Sequence, residues 1–358
     1  MKILCLIESL ASGGAERQMT VLASLLKKRG HEVAVWTYCP QDFYRKQLEE
    51  DGVEYRFIVK ARNKFLRIPV LLKEARKWKP DAMIAYLPSV TLTACLMKML
   101  GLKTRLLVSE RNTSQKYGFR ERLRFFLFNL EADWIVTNSH SQERFIAKHY
   151  PSLIKKIRVI TNYVDTDFFT PETEKDSNEE DVLQMICVSR ILPQKNVLRF
   201  IDSLAELKRR SVALKVLWYG STEGVYARQC LEKVQKQGLS DIIEFKGVTH
   251  DVRNEYRKAD VLCLPSLREG FPNVISEAMS CGLPILCSRV CDNEEIVVEG
   301  ENGLLFDPRD KNDIVEKIIS FVRLPYQERK IMGNVSRQMA LDLFSADHFV
   351  NAYEDLLK

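Results

Sequence analysis

Two glutamates, Glu269 and Glu277, stand eight positions apart in the stretch PSLREGFPNVISEAMSCGLP, Pro265 to Pro284. Between them lies Gly270-Phe271-Pro272-Asn273. One apolar run, Asp260 to Leu264, precedes the stretch and another, Ile285 to Cys287, follows it. Gly270 permits backbone angles that other residues resist, and Pro272 sets up a helix starting near Asn273. The amides at that helix start attract an anion. A carboxylate suits vicinal hydroxyls better than a phosphate, because it only accepts hydrogen bonds. Glu277 falls about one helical turn beyond Asn273, on the same face. Amides for a diphosphate, flanked by two hydroxyl acceptors, fit a ligand with a sugar at each end of a diphosphate. That describes a nucleotide sugar. The plainer alternative is an acid at a helix cap and a solvated acid on the helix.

Arg190 and Lys195 follow the apolar run QMICVSR. Two cations in a loop leaving the carboxyl end of a strand suit the same diphosphate: Arg offers a planar fork and Lys a point charge. Solvated loop charges are the alternative. Ser12-Gly13-Gly14-Ala15 closes the first apolar run. Its glycines let a ligand approach the backbone at a helix N-terminus, or form a tight turn with a cap. The run is not GxGxxG, and no acid stands at the end of the second strand, so a dinucleotide reading is weak. The five histidines are scattered, and the nine cysteines form no CxxC pair. These patterns point to reduced thiols and to neither a zinc site nor a disulfide framework.

The elements that must position these residues follow from the periodicity. KILCLIES, GAERQMTVLASLLKKRG and HEVAVWTY read as strand, helix and strand, with Gly30 stopping the helix. Such a unit predicts a parallel sheet. Further strands are YRFIV, DAMIAYL, TRLLVSE, DWIVTNS and IRVITNYV. The acidic run from Phe168 to Asp181 reads as a linker, after which the pattern restarts. VLQMICVSR, LKVLWYG, IIEFKG, DVLCLPS, LPILCSR and GLLFDP then alternate with helices. A chain of 358 residues accommodates two such domains. Two open α/β sheets are expected to leave a central cleft at the carboxyl ends of their strands. The N-terminus reads as a strand with no signal peptide, and Val90 to Leu102 is too short for a membrane span.

The motifs SGGAER (Ser12 to Arg17), NYVD (Asn162 to Asp165), Arg190 with Lys195-Asn196, and EGFPNVISEA (Glu269 to Ala278) together resemble glycosyltransferase family 4. The resemblance spans nearly the whole chain. It implies the GT-B fold: an acceptor-binding Rossmann-like domain over 1–168, a donor-binding one over 169–339, and a C-terminal helix over 340–358 packing back on the first. It also implies a retaining enzyme. Glu269 would contact the donor sugar, Glu277 the ribose, and Arg190 and Lys195 the diphosphate. Gly13, Gly14, Gly220, Gly270, Phe271, Pro272 and Asn273 would complete the donor site. Where the family carries a histidine, SERNTS offers Glu110 and Arg111, so Arg111 becomes a candidate donor to the sugar. Glu16, Arg17, Glu110 and Arg111 would face the acceptor side. No DxD-type motif occupies the expected place, so neither cofactor nor metal is expected.

The formal charge is +6, but residues 1–165 hold 29 Lys and Arg against 16 Asp and Glu, a balance of +13. The remainder carries −7. An anionic partner for the first half alone is therefore expected. Lys60 to Lys79 and Lys116 to Asn129 interleave cations with aromatic and aliphatic residues. Arg120, Arg122, Arg124, Phe125, Phe126 and Phe128 suit an amphipathic helix on an anionic membrane, or a core helix with a charged outer face. The resulting expectation is a cytoplasmic enzyme, peripheral on the inner face of the cell membrane. It would move a hexose or N-acetylhexosamine from a nucleotide sugar, most simply UDP-linked, to a lipid-linked glycan acceptor. No nucleic-acid motif is present. A nucleotide-sugar epimerase or phosphorylase and a non-catalytic nucleotide-sugar-binding protein are the competing readings.

Overall fold

The computed structural model describes residues 1–111, 118–172 and 182–358. Part of SERNTS, the basic residue Lys116 and most of the expected linker lie outside the described residues. The chain divides into two compact units: Met1–Tyr163 with Ala346–Lys358, and Val164–Ser345.

The first unit runs β1 (Lys2–Leu6), α1 (Gly14–Lys28), β2 (Glu32–Thr37), α2 (Arg45–Glu50), β3 (Glu54–Phe57), α3 (Arg67–Trp78), β4 (Ala82–Tyr86), α4 (Pro88–Met99), β5 (Arg105–Glu110), α5 (Phe119–Glu131), β6 (Trp134–Thr137), α6 (His140–His149) and β7 (Ile157–Val159). Its seven strands are all parallel, in the order β3-β2-β1-β4-β5-β6-β7. The second unit runs β8 (Leu183–Val188), α7 (Val197–Arg209), β9 (Leu214–Tyr219), α8 (Val225–Lys236), β10 (Ile243–Gly247), α9 (Val252–Lys258), β11 (Val261–Leu264), α10 (Asn273–Ser280), β12 (Ile285–Ser288), α11 (Asn293–Ile296), β13 (Gly303–Phe306), α12 (Lys311–Val322) and α13 (Tyr326–Phe344). Its six parallel strands are ordered β10-β9-β8-β11-β12-β13. The last helix, α14 (Ala346–Leu357), belongs to the first unit.

Helices cover both faces of each sheet, so the strands read as unbroken apolar runs and not as alternating ones. Every residue of β4 and β11 is buried. Side chains still alternate between faces. In the first unit Leu4, Leu6 and Met83 pack toward α3, α4 and α5, while Ile3, Cys5 and Ile84 pack toward α1 and α14. Among the described residues, all thirteen strands coincide with the apolar runs named above, giving two Rossmann-like parallel-sheet units. The expected single helix over 340–358 is instead two. Ser345 adopts an extended conformation that ends α13, and α14 then buries Phe349, Val350, Tyr353, Leu356 and Leu357 in the first unit's core. The nine cysteines are free thiols, seven of them buried.

Candidate functional site

In the second unit, two loops at the carboxyl edge of the sheet carry the expected donor residues. One links β8 to α7 and holds Arg190 and Lys195; the other links β11 to α10 and holds Glu269 to Pro272. Three contacts join them. The Leu267 amide donates to the Gln194 carbonyl at 2.8 Å. The Gln194 side chain donates to the Arg268 carbonyl at 2.8 Å. Lys195 Nζ pairs with Glu269 Oε1 at 2.6 Å. Both partners are largely buried, so removing either one would leave the other charge without its partner. Arg190 is exposed beside them.

The local sequence fixes this geometry. Asn196 adopts a left-handed conformation, φ 59°, at the start of α7 and donates to the Pro308 carbonyl at 2.7 Å. Gly220, at the end of β9, has no room for a side chain: a Cβ there would lie 1.9 Å from the Ser189 carbonyl oxygen. That clash would displace the segment leading into Arg190. Phe271 packs edge-to-face on Phe344, with ring centroids 5.7 Å apart, and anchors the turn into α10.

Helix α10 starts at Asn273 with no side-chain cap, leaving its N-terminal end to backbone amides. Glu277 lies on α10 and is 8% exposed, as is Glu269. The Tyr256 hydroxyl donates to Glu277 Oε2 at 3.3 Å. Burial first, and then the Glu277 charge, hold the Tyr256 phenol well above its usual range, so it stays a donor. The buried hydroxyls of Ser266 and Ser276 have no hydrogen-bond partner among the described residues. The structure thus brings Arg190, Lys195, Gly270, Glu269 and the start of α10 to one edge of the second sheet. Gln194 and Tyr256, which fasten Lys195's loop and Glu277, went unnoticed in the sequence. Both act across long sequence separations that no local pattern reveals.

In the first unit, Gly13 and Gly14 lead into α1 at the carboxyl edge of β1. The Glu16 carboxylate folds back over Gly13: a Cβ there would lie 2.1 Å from Glu16 Oε2. Space around Gly14 is open. The side chain of Gln18, unnoticed in the sequence, exchanges two 2.9 Å hydrogen bonds with the Tyr163 main chain and so ties NYVD to α1.

Arg111 is a tie within this unit. It donates to Asn162 Oδ1 at 2.6 Å, to the Tyr86 hydroxyl at 2.7 Å and to the Tyr353 hydroxyl at 3.0 Å. Nη2 thus spends its two hydrogens on the tyrosines and Nη1 one of its two on Asn162. Glu110, next in sequence but on the opposite face of the strand, is buried and accepts from Arg124 at 2.9 Å. Burial pushes the Glu110 carboxyl up to about 7, against the pull of Arg124.

The expected membrane helix therefore needs correction. Arg124 is turned inward to Glu110, and Phe125 and Phe128 are core residues. The outer face of α5 instead carries Phe119, Leu123, Phe126 and Leu130, with Arg120 and Arg122 exposed beside them. Those four apolar residues recur at helical spacing.

Comparison with known proteins places this geometry. Residues 12–168 match the model of Glycosyltransferase Family 4, and residues 169–339 match that of Glycosyl transferases group 1. A Campylobacter jejuni alpha-1,4-N-acetyl-D-galactosaminyltransferase, named for a GalNAc-containing glycan on PP-undecaprenol, is 27% identical, covering 100% of this chain and 98% of that protein. An amylovoran biosynthesis glycosyltransferase of Erwinia amylovora is 22% identical over 99% of both. Among solved structures, a Rickettsia africae glycosyltransferase has a TM-score of 0.86 at 18% identity, covering 100% of this chain and 97% of that one. The Anabaena protein HepE, solved with UDP, has a TM-score of 0.83 at 19% identity, covering 100% and 99%. The chain belongs to the two-domain glycosyltransferases, with a family 4 domain followed by a group 1 domain in the GT-B fold.

Proposed function

We propose that this glycosyltransferase moves a hexose or N-acetylhexosamine, with retention, from a UDP-linked donor to a lipid-linked glycan during bacterial surface polysaccharide or glycoconjugate synthesis. The observation that carries the reading is the Lys195–Glu269 pair, set beside Arg190 and the uncapped start of α10. The acceptor class is supported by the diphospho-undecaprenol glycans named for two Campylobacter relatives, and the nucleotide by the UDP in the Anabaena structure.

In this reading the diphosphate lies against Arg190, Lys195 and the amides of α10. Glu269 accepts from the donor sugar and Glu277 from the ribose. The bond between the anomeric carbon and the diphosphate oxygen breaks as the acceptor oxygen bonds to the same face. The acceptor hydroxyl gives its proton to the departing diphosphate oxygen. Arg190 and Lys195 stabilise the charge that develops there, which is where fixed cations accelerate a reaction most. They take the place of a divalent metal, so chelator should leave the rate unchanged.

The enzyme docks on the inner face of the membrane through its basic unit. Two exposed patches support this: the outer face of α5, and Phe65 and Leu66 among Lys60, Arg62 and Lys64 ahead of α3. Both sit where a helix begins at the carboxyl edge of the first sheet. Nucleoside diphosphate release, measured across nucleotide sugars with polyprenyl-diphosphate-linked glycans, tests the reaction, and NMR of the product gives its anomeric configuration. No release with any acceptor, or an inverted product, would refute the assignment.

A further inference from the structure

Glu8 lies two residues past the end of β1, at the carboxyl edge of the first sheet, and is half-buried. Its carbonyl oxygen accepts from the amides of Tyr38 at 3.2 Å and Cys39 at 2.8 Å, which fixes its backbone. Its side chain receives one full hydrogen bond, from Ser89 Oγ to Oε2 at 3.2 Å. The Cys39 thiol, a weak donor, stands 3.8 Å from Oε1. Ser89 Oγ lies 3.5 Å from the Tyr38 hydroxyl. Among the described residues Glu8 forms no ion pair. Arg67 is nearby but forms no ion pair with Glu8: its guanidinium lies 4.1 Å from the Tyr38 ring centroid, and its Nε donates to the Ala61 carbonyl at 3.1 Å.

An ionised carboxylate accepts about four hydrogen bonds. Glu8 has one good donor and one weak one, with solvent-facing lone pairs left over. The turn that delivers its partner is strained. Leu87 has φ 77° and ψ 146°, a conformation that a bulky residue holds only when its surroundings force it. It swings the chain from β4 into α4 so that Ser89, in the first helical turn, meets Glu8. The start of α4 also favours a negative charge at that point. A cap joining β1 to α4 explains the Ser89 contact. It does not explain an accessible carboxylate without a cation, on the sheet edge where open α/β units bind ligands, beside a strained turn.

We propose that Glu8, held by Ser89, is a hydroxyl-binding subsite for the acceptor sugar. The carboxylate accepts from one or two ring hydroxyls of a neutral sugar. Like-charge repulsion disfavours a uronic acid or a phosphorylated sugar in the same place. The inference rests on the transferase reading and adds to it the neutral, polyhydroxylated character of the acceptor at this point.

The test compares wild type with Glu8→Gln, Glu8→Asp and Ser89→Ala. The probe is an undecaprenyl-diphosphate-linked N-acetylhexosamine oligosaccharide. Glu8→Gln keeps the shape and removes the charge. Its acceptor KM should rise on the order of tenfold or more, the scale of a hydrogen bond to a charged group. Ser89→Ala should raise it less, and Glu8→Asp should recover part of the loss. UDP affinity by calorimetry and the melting temperature should hold in all three. Unchanged acceptor KM in Glu8→Gln, or a rise matched by loss of UDP affinity and melting temperature, would overturn the subsite in favour of a purely structural cap. Wild type that neither binds UDP nor transfers would instead sink the transferase reading, and the subsite with it.

Discussion

At the scale of residues, the Lys195–Glu269 pair joins two jobs. Without ligand each partner neutralises the other. In the proposed mechanism a bound donor gives Lys195 a diphosphate and Glu269 a sugar hydroxyl, so both keep a polar partner. Lys195→Ala should lower turnover about 10²-fold, the scale of removing one stabiliser of transition-state charge. Single-turnover kinetics on a variant that still melts cooperatively would show this, and near-wild-type turnover would remove Lys195 from the mechanism. The two glutamates should separate by the ligand each one touches. Glu277→Ala should weaken calorimetric affinity for free nucleoside diphosphate, because the ribose is present there. Glu269→Ala should mainly lower turnover. The motif residues were legible because the chemistry is local: a strand end, a turn and a helix start within one short stretch. Tyr256, which donates to Glu277, was not, because nothing in its own neighbourhood marks it.

At the scale of elements, period and stop signals revealed every strand, and they made α5 a helix. They did not show which of its faces would be buried. Arg120, Arg122 and Arg124 look alike in sequence. Only the tertiary pairing with Glu110, on a neighbouring strand, turns Arg124 inward. That pair has a pH signature. Glu110 titrates at about 7 in the folded protein against an ordinary 4.5, so the folded state binds the proton more tightly. The stability it contributes is fully present below about pH 4.5 and lost as pH rises through about 7. Glu110→Gln keeps an acceptor for Arg124 and abolishes the titration. Its melting temperature relative to wild type should therefore rise between pH 5 and 8, and a constant difference would contradict the assignment. The outer face of α5 predicts a second behaviour. Each exposed cation near an anionic leaflet contributes about 1 kcal/mol, so Arg120→Ala with Arg122→Ala should weaken vesicle binding roughly thirtyfold. Arg124→Ala should lower stability more than vesicle affinity. Co-sedimentation with neutral and anionic liposomes distinguishes the two, and equal binding to both vesicle types would return α5 to an ordinary solvated helix.

At the scale of the whole molecule, the chain's order in sequence and its order in space part company at the end. The restart of the strand–helix pattern after the acidic run revealed two domains, and the charge asymmetry marked the first as basic. The bounds of the last helix were less legible, because Ser345 carries no strong stop signal and the apolar stripe of α14 fits any core. In the structure α14 completes the first unit. Phe349 is 1% exposed and meets Tyr353 edge-on at 5.3 Å, and Tyr353 reaches Tyr86 at 2.6 Å. His31 pairs with Glu354 at 2.9 Å and Arg29 with Asp347 at 2.7 Å, closing the helix over α1. The consequence is a stability effect that travels opposite to sequence distance. Phe349→Ala, thirteen positions from Ser336 of α13 but far in sequence from β1, should destabilise the first unit by about 3–5 kcal/mol through the cavity it leaves. Tryptophan reports on each unit separately, since Trp36, Trp78 and Trp134 lie in the first and Trp218 in the second. In urea, Phe349→Ala carrying Trp218→Phe should show an early midpoint relative to Trp218→Phe alone. The same substitution in a chain that keeps only Trp218 should leave that tryptophan's midpoint in place. UDP affinity, which the second unit's loops provide in the proposed mechanism, should survive at urea concentrations where the first unit has begun to unfold. A shift of the Trp218 transition equal to that of the other three would mean that α14 stabilises both units alike.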